Sequence, residues 1–317
     1  MSRYVARRLL QAIPLLFAIT ILSFGLMKAA PGGPLSIYRE SPDFDPADVT
    51  AIEEQLGLHD PIPVQYAKWI GNLARLDWGY SYVTHEAVTD RIWQRLPNTL
   101  TLMATAYLLT LLIAIPIGVL AAVRQYSRFD YAATTGAFFG ISMPVFWFGL
   151  LMILTFAVQL RWLPTSGMAT AGRDFDLVDR LRHLVMPALV LSLVSAAHYS
   201  RYIRGSMLEV IHQDYIRTAR AKGMRETGVV MRHAFKNAAL PFVTLLALDI
   251  PELFTGAVVT ETIFAWPGMG RLYLESITRL DYSVLMAILT VSALLLILSN
   301  LLADMLYAYL DPRIRYR

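Results

Sequence analysis

Six runs of apolar side chains, each about as long as a bilayer is thick, constrain this chain more than anything else in it. They lie at approximately Leu9–Ala30, Leu100–Val123, Ala132–Val158, Leu184–Tyr202, Pro241–Thr260 and Val284–Tyr307. Crossing the hydrocarbon takes about 20 predominantly apolar residues in helical form. Lipid offers no partner to a bare N–H or C=O, so such a run satisfies its backbone by coiling into a helix. The rest of the composition agrees: 56% of residues are hydrophobic and 16% charged, against about 25% charged in ordinary soluble domains. The expectation is an all-α integral membrane protein with six transmembrane helices. Pro14, Pro116, Pro144, Pro187 and Pro251 fall inside the runs, where a missing N–H predicts kinks. Arg3, Arg7 and Arg8 ahead of the first run imitate a signal peptide, but the apolar stretch continues to Ala30 and Pro31 follows at once, so it reads as an uncleaved anchor.

Lysine and arginine fix the expected orientation. With the first residues cytoplasmic, the inner segments hold sixteen of the 28 basic residues, eight of them between Arg201 and Leu240, while the segment from Glu40 to Asp90 carries ten acidic residues. Both termini are then cytoplasmic. Three regions follow: 1–30, a cytoplasmic segment and the first span; 31–96, an extracytoplasmic helical loop domain; and 97–317, a five-helix core containing an inner loop at 203–240. Within the loop domain, residues 43–57 read as a capped helix. Trp69, Leu73, Leu76 and Trp78 supply apolar surface for a second helix. This region is either a cap on the bundle or a docking surface for a soluble partner.

Several chemistries are missing from the sequence. There is no G-x-x-x-x-G-K-[ST] phosphate loop, no G-x-S-x-G elbow, no histidine pair at metal-ligand spacing and no cysteine. The chain is expected to be no enzyme and to hold no metal or cofactor of its own. Nor do aromatic platforms accompany its basic residues as nucleic-acid binding requires.

Two polar features stand out instead. Asp249 and Glu252 sit three residues apart in the fifth run, hence on one helical face around Pro251. Ionisable groups at such depth normally face a bundle interior or an aqueous path, so the pair either lines a translocation path or joins neighbouring helices. The second is the basic loop. Leu208, Ile211, Tyr215 and Ala219 fall at helical spacing, Arg217, Arg220 and Lys222 project elsewhere, and Gly223 offers a helix stop. A helix lying on anionic lipid would carry bulky apolar residues. This one has Thr218, Ala219 and Ala221, which favours a protein partner.

The stretches Arg204-Gly-Ser-Met-Leu-Glu-Val and Asp214-Tyr-Ile-Arg-Thr-Ala-Arg-Ala-Lys-Gly223 resemble the inner loop of permease subunits in ATP-binding-cassette importers for dipeptides and oligopeptides. So do Arg7-Arg-Leu-Leu-Gln-Ala-Ile-Pro, Leu76-Asp-Trp-Gly-Tyr-Ser81 and Glu261-Thr-Ile-Phe-Ala-Trp-Pro-Gly-Met-Gly270. The resemblance covers essentially the whole chain and implies the type I importer permease fold in a bacterial cytoplasmic membrane. It implies a second homologous permease subunit, two cytoplasmic ATPases that bind ATP and Mg, and an extracytoplasmic substrate-binding protein. By this resemblance Tyr215, Arg217, Thr218, Ala219, Arg220, Ala221, Lys222 and Gly223 form a coupling helix seated on an ATPase. Arg217 and Thr218 stand where the widespread motif has Glu and Ala, and Leu240-Pro241 closes the motif about five residues later than usual. Glu261, Pro267, Gly268 and Gly270 shape the outer mouth, or else a tight connector into the sixth span. Related permeases carry nickel, glutathione or other small solutes. A reading of another class, an ion-coupled secondary transporter, would use Asp249 and Glu252 as ion sites and show an inverted repeat.

Overall fold

The computed structural model describes residues 2–29, 53–54, 57–249 and 257–310, and among these there is no β-strand. The helices are α1 (Ser2–Ala29), α2 (Ile62–Ala74), α3 (Val88–Val123), α4 (Arg128–Ser142), α5 (Val145–Met152), α6 (Leu177–Ile211), α7 (Asp214–Ala221), α8 (Lys236–Asp249), α9 (Val258–Ile263), α10 (Met269–Thr278) and α11 (Tyr282–Leu310). A π-helical stretch, Ile153–Gln159, extends α5, and a second, Val229–Phe235, leads into α8. Three of these helices are long and apolar enough to cross a membrane, α1 from Leu10, α3, and α11 as far as Leu302; α4 with α5 adds a fourth if the bent pair is one span.

That bent pair sharpens the kink expected at Pro144 within the third run, 132–158, into a break between two helices. The two halves meet at 102°. The cause is local: Pro144 clashes with a helical conformation of the residue before it, and Met143 is accordingly extended at φ −84°, ψ 124°. Pro97, Pro116 and Pro187 are accommodated inside α3 and α6 without ending them. Of the apolar residues expected to build the second loop helix, Trp69 and Leu73 lie in α2, whereas Leu76 and Trp78 lie past its end. The helix proposed at 43–57 falls mostly outside the described residues.

The centre of the bundle is α3 against α6, the most extensive helix contact in the fold. Around their ends next to α7, Val119, Ala122, Ile203, Met207, Ile216 and Ala219 form one buried apolar cluster with Val229, Val230 and Ala234. At the opposite end, the Leu76–Ser81 motif is an anchor. Ser81 is buried, and its Oγ donates to Asp281 Oδ2 at 2.5 Å. The Tyr82 N–H also donates to Asp281, at 3.2 Å, and the Ser283 hydroxyl donates to the Tyr80 carbonyl at 2.7 Å. These bonds bind the segment ahead of α3 to the start of α11.

Candidate functional site

The basic segment folds into α7, two turns long, set off from α6 by an extended residue, Gln213 (φ −72°, ψ 151°). The break resets the helical phase, so Leu208 and Ile211 belong to α6 and do not share a face with Tyr215. In α7 the buried residues are Ile216 and Ala219, which pack into the chain's own apolar cluster. Ala219 is small because the protein closes over it from within.

What α7 does present is Tyr215, Arg217, Thr218, Arg220, Ala221 and Lys222, all exposed, and the adjoining Gly223. Arg220 is engaged by Glu226 through two hydrogen bonds of 3.1 and 2.6 Å. This guanidinium holds the Glu226 carboxyl below the usual carboxylate range. Among the described residues the acid within reach of Arg217 is Asp214, at a loose 3.8 Å with both side chains largely in solvent, and Lys222 is exposed just past the helix. Gly223 sits at φ +75°, the left-handed conformation in which glycine carries no Cβ penalty. Its N–H donates to the Arg220 carbonyl at 2.9 Å, and the Met224 N–H donates to the Ala219 carbonyl at 3.4 Å. Those two bonds are a Schellman motif, which ends α7 and turns the chain back toward the bundle.

The Glu261–Gly270 motif is a second, very different site. Glu261 is fully buried. Its carboxylate accepts from Thr99 Oγ1 at 2.8 Å, from the Arg271 N–H at 3.0 Å and from the Gly270 N–H. Burial nevertheless raises its pKa, these hydrogen bonds only opposing the shift. The carboxylate therefore caps the first turn of α10, where unpaired N–H groups and the helix dipole favour negative charge. A Cβ on Gly268 would stand 2.4 Å from Glu261 Oε2, so glycine is required for the carboxylate to come this close. Asn98 donates to the Pro267 carbonyl at 2.8 Å, Trp266 Nε1 donates to the Asn98 carbonyl at 2.9 Å, and the Met269 N–H donates to Thr99 Oγ1 at 2.7 Å. All four sequence-predicted residues thus meet in one latch against α3, and its donors and acceptors are matched. Thr99 and Asn98 had no signal in the sequence; they lie more than 160 positions away from their partners.

Asp249 closes α8 and is half-buried. It accepts a short hydrogen bond from Tyr199 Oη of α6, whose ring meets Phe242 edge-on at 5.4 Å. Glu252 lies outside the described residues. Among the described residues no group of three or more His, Cys, Asp or Glu side chains could hold a metal ion.

Residues 114–316 match the family model described as binding-protein-dependent transport system inner membrane component, and residues 1–103 match the model for the N-terminal part of such membrane components. The chain is 48% identical over 317 residues to the oligopeptide transport system permease protein AppB of Bacillus subtilis, covering all of both chains. It is 38% identical to the di/tripeptide transport system permease protein DppB of Pseudomonas aeruginosa and 36% identical to the dipeptide transport system permease protein DppB of Escherichia coli K12, again over the full length of each. Among solved structures, a chain of the inward-facing MetNI methionine ABC transporter matches with a TM-score of 0.53 at 17% identity, over 69% of this chain and 96% of that one.

Proposed function

Because the chain belongs to the family of binding-protein-dependent transport system inner membrane components, we propose that it is the permease subunit of an ATP-driven importer and that its cargo is peptides. The observation that carries the reading is the end-to-end match, at 48% identity, to an oligopeptide permease, joined by full-length matches to dipeptide and di/tripeptide permeases. A permease of this family works with ATPase and substrate-binding components. The chain itself makes and breaks no covalent bond.

In this reading the chain spans the bacterial cytoplasmic membrane six times with both termini inside, and pairs with a second, homologous permease. Two ATPases, which bind ATP and Mg, dock from the cytoplasm, and the binding protein docks from outside. The exposed cations of α7 and the sharp stop at Gly223 support α7 as the element that meets an ATPase. ATP binding closes the ATPases, α7 moves with them, and the bundle alternates between inward- and outward-open states as packed helices rock. The Glu261 latch keeps the outer mouth in register with α3 during that motion. Asp249, held by Tyr199 at the α6–α8 contact, together with Glu252 supplies negative charge toward the path, suited to the amino group of a peptide.

The test is uptake in a strain lacking this chain, across di- to pentapeptides, nickel and glutathione, with affinity purification of a tagged chain alongside. Loss of peptide uptake and co-purification of ATPase subunits are expected. A permease that purifies alone, or a strain with intact peptide uptake, overturns the reading.

A further inference from the structure

The apolar cluster joins α7 to the last turns of α6, because Ile203 and Met207 of α6 are buried with Ile216 and Ala219 of α7. The end of α3 and the start of α8 share that cluster, through Val119, Ala122, Ala238 and Phe242. None of the described side chains of α4 belongs to it. Yet α4 starts beside it and leads into the 102° bend at Pro144. Helix α6 also packs along α4, and its Met186 and Val190 share a second apolar cluster with Val145, Phe148 and Met152 of α5.

Alongside that apolar packing, α6 and α4 are joined by an ion pair. Arg204 of α6 donates from Nε to Asp130 Oδ1 at 2.5 Å and from Nη2 to Asp130 Oδ2 at 2.8 Å. Asp130 is buried, with its side chain 3% exposed, and that of Arg204 is 25% exposed. The same carboxylate accepts from the Tyr126 N–H at 2.9 Å and from Thr134 Oγ1 at 3.4 Å. Tyr126 is a non-glycine residue at φ +63°, so Asp130 also holds the tight turn between α3 and α4. The Asp130 N–H in turn donates to the Ser127 side chain at 3.2 Å, capping α4. Asp130 thus fastens the α3–α4 turn, the first turn of α4 and α6 at one point. One turn along α6, the Arg201 guanidinium stacks over Phe138 of α4 at 4.1 Å, a second contact between the same two helices.

The two kinds of contact transmit motion differently. Apolar burial is non-directional, so packed helices can slide while remaining in contact. A two-point guanidinium–carboxylate bond has fixed geometry and, when buried, is little screened by salt. We propose that the Asp130–Arg204 pair is the joint through which displacement of α7 is passed to α4 and the bent α4–α5 pair, making both residues positioning residues for transport. The proposal rests on the importer reading and on α7 as its ATPase contact.

The experiment uses the intact importer in proteoliposomes, measuring peptide uptake and peptide-stimulated ATP hydrolysis on the same preparation. The readout is peptide imported per ATP hydrolysed, which a brace that merely kept the subunit folded would leave unchanged, because lost complex lowers both quantities together. Asp130→Asn, which keeps an acceptor for the Tyr126 N–H, and Arg204→Met are expected to lower that ratio about tenfold, inside the roughly 5–150-fold range of coupling between sites. The double variant is expected to be no worse than either single, as non-additivity requires for residues in contact. Arg204→Lys, which keeps the charge but loses the two-point geometry, falls between, and supplies the same reading if the other variants do not assemble. An unchanged ratio in Asp130→Asn or Arg204→Lys overturns the joint. Should Arg217→Glu with Lys222→Glu on α7 lower the ratio in that same series, the joint alone has failed; if that variant also transports normally, the α7 reading has failed with it.

Discussion

The latch around Glu261 and the exposed face of α7 are both conspicuous polar features of a hydrophobic chain, and they are opposite in construction. In the latch a carboxylate is enclosed, and its neighbouring N–H and hydroxyl donors are spent on it. At α7 and its C-cap, Arg217 and Lys222 face solvent, and among the described residues the acid near Arg217 is Asp214 at a loose 3.8 Å. A polar group that is buried and fully matched contributes to the native structure, because leaving it unmatched is costly. Exposed cations held on a rigid, capped helix cost little to maintain and become useful when an acidic surface arrives. The contrast suggests that damage to the first region appears as instability and damage to the second as lost transport.

The sharpest way to break that contrast is Glu261→Ala. It strands the Thr99 hydroxyl and two backbone N–H groups at about 1–3 kcal/mol each, so a loss of roughly 3 kcal/mol or more is expected, read as a lower unfolding temperature of the purified complex. Unchanged stability would remove the distinction. Gly268→Ala should cost about 1–3 kcal/mol by overpacking against the carboxylate, measured the same way. Reversal of Arg217 and Lys222 to Glu is expected to shift stability by no more than about 0.5 kcal/mol, the usual range for surface sites, while peptide uptake by cells falls severely.

Gly223→Ala sits between the two classes. It places a Cβ in the left-handed region at a cost of about 1–2 kcal/mol, and lower uptake is expected together with a modest fall in unfolding temperature. The smallest effect concerns pH, where the two regions should differ in sign. Burial raises the Glu261 pKa. The folded state then holds a proton that the unfolded chain has released, so this contribution is full below the ordinary carboxylate value and is lost as pH rises through the folded one. Glu226 is lowered by Arg220, so its small, solvent-screened contribution is present above the ordinary value and is lost as pH falls. Stability profiles of Glu261→Gln and Glu226→Gln against pH should therefore diverge in opposite directions from the parent. Parallel profiles would show that the two carboxylates are not in the contrasting environments described.

Much of the architecture was legible from local pattern. Three of the six apolar runs announced helices long and apolar enough to cross a membrane, four if the bent pair is one span; Gly223 announced a stop, and Ser127-Arg-Phe-Asp130 carries the spacing of a helix start, although its carboxylate was not singled out. Pro144 announced a kink but not a bend of 102°, since its size depends on what each half packs against. The inward turn of Ala219 was hidden by Gln213, whose extended backbone interrupts a periodicity that looked continuous. Thr99, Tyr199 and the Asp130–Arg204 pair were invisible for a plainer reason: their partners are 50 to 162 positions distant.

The sequence alone determined that the chain carries apolar helices of membrane-crossing length and, through motifs spread over the whole chain, the family to which it belongs. Both follow from the identity of residues close together in the chain: hydropathy sums over a window, and a cap or glycine stop acts within a turn. Tertiary structure decided which polar groups are spent within the protein and which remain for others. Hydrogen bonds and ion pairs form between atoms about 3 Å apart, and only the folded bundle brings Thr99 to Glu261 and Arg204 to Asp130 while leaving Arg217 in solvent.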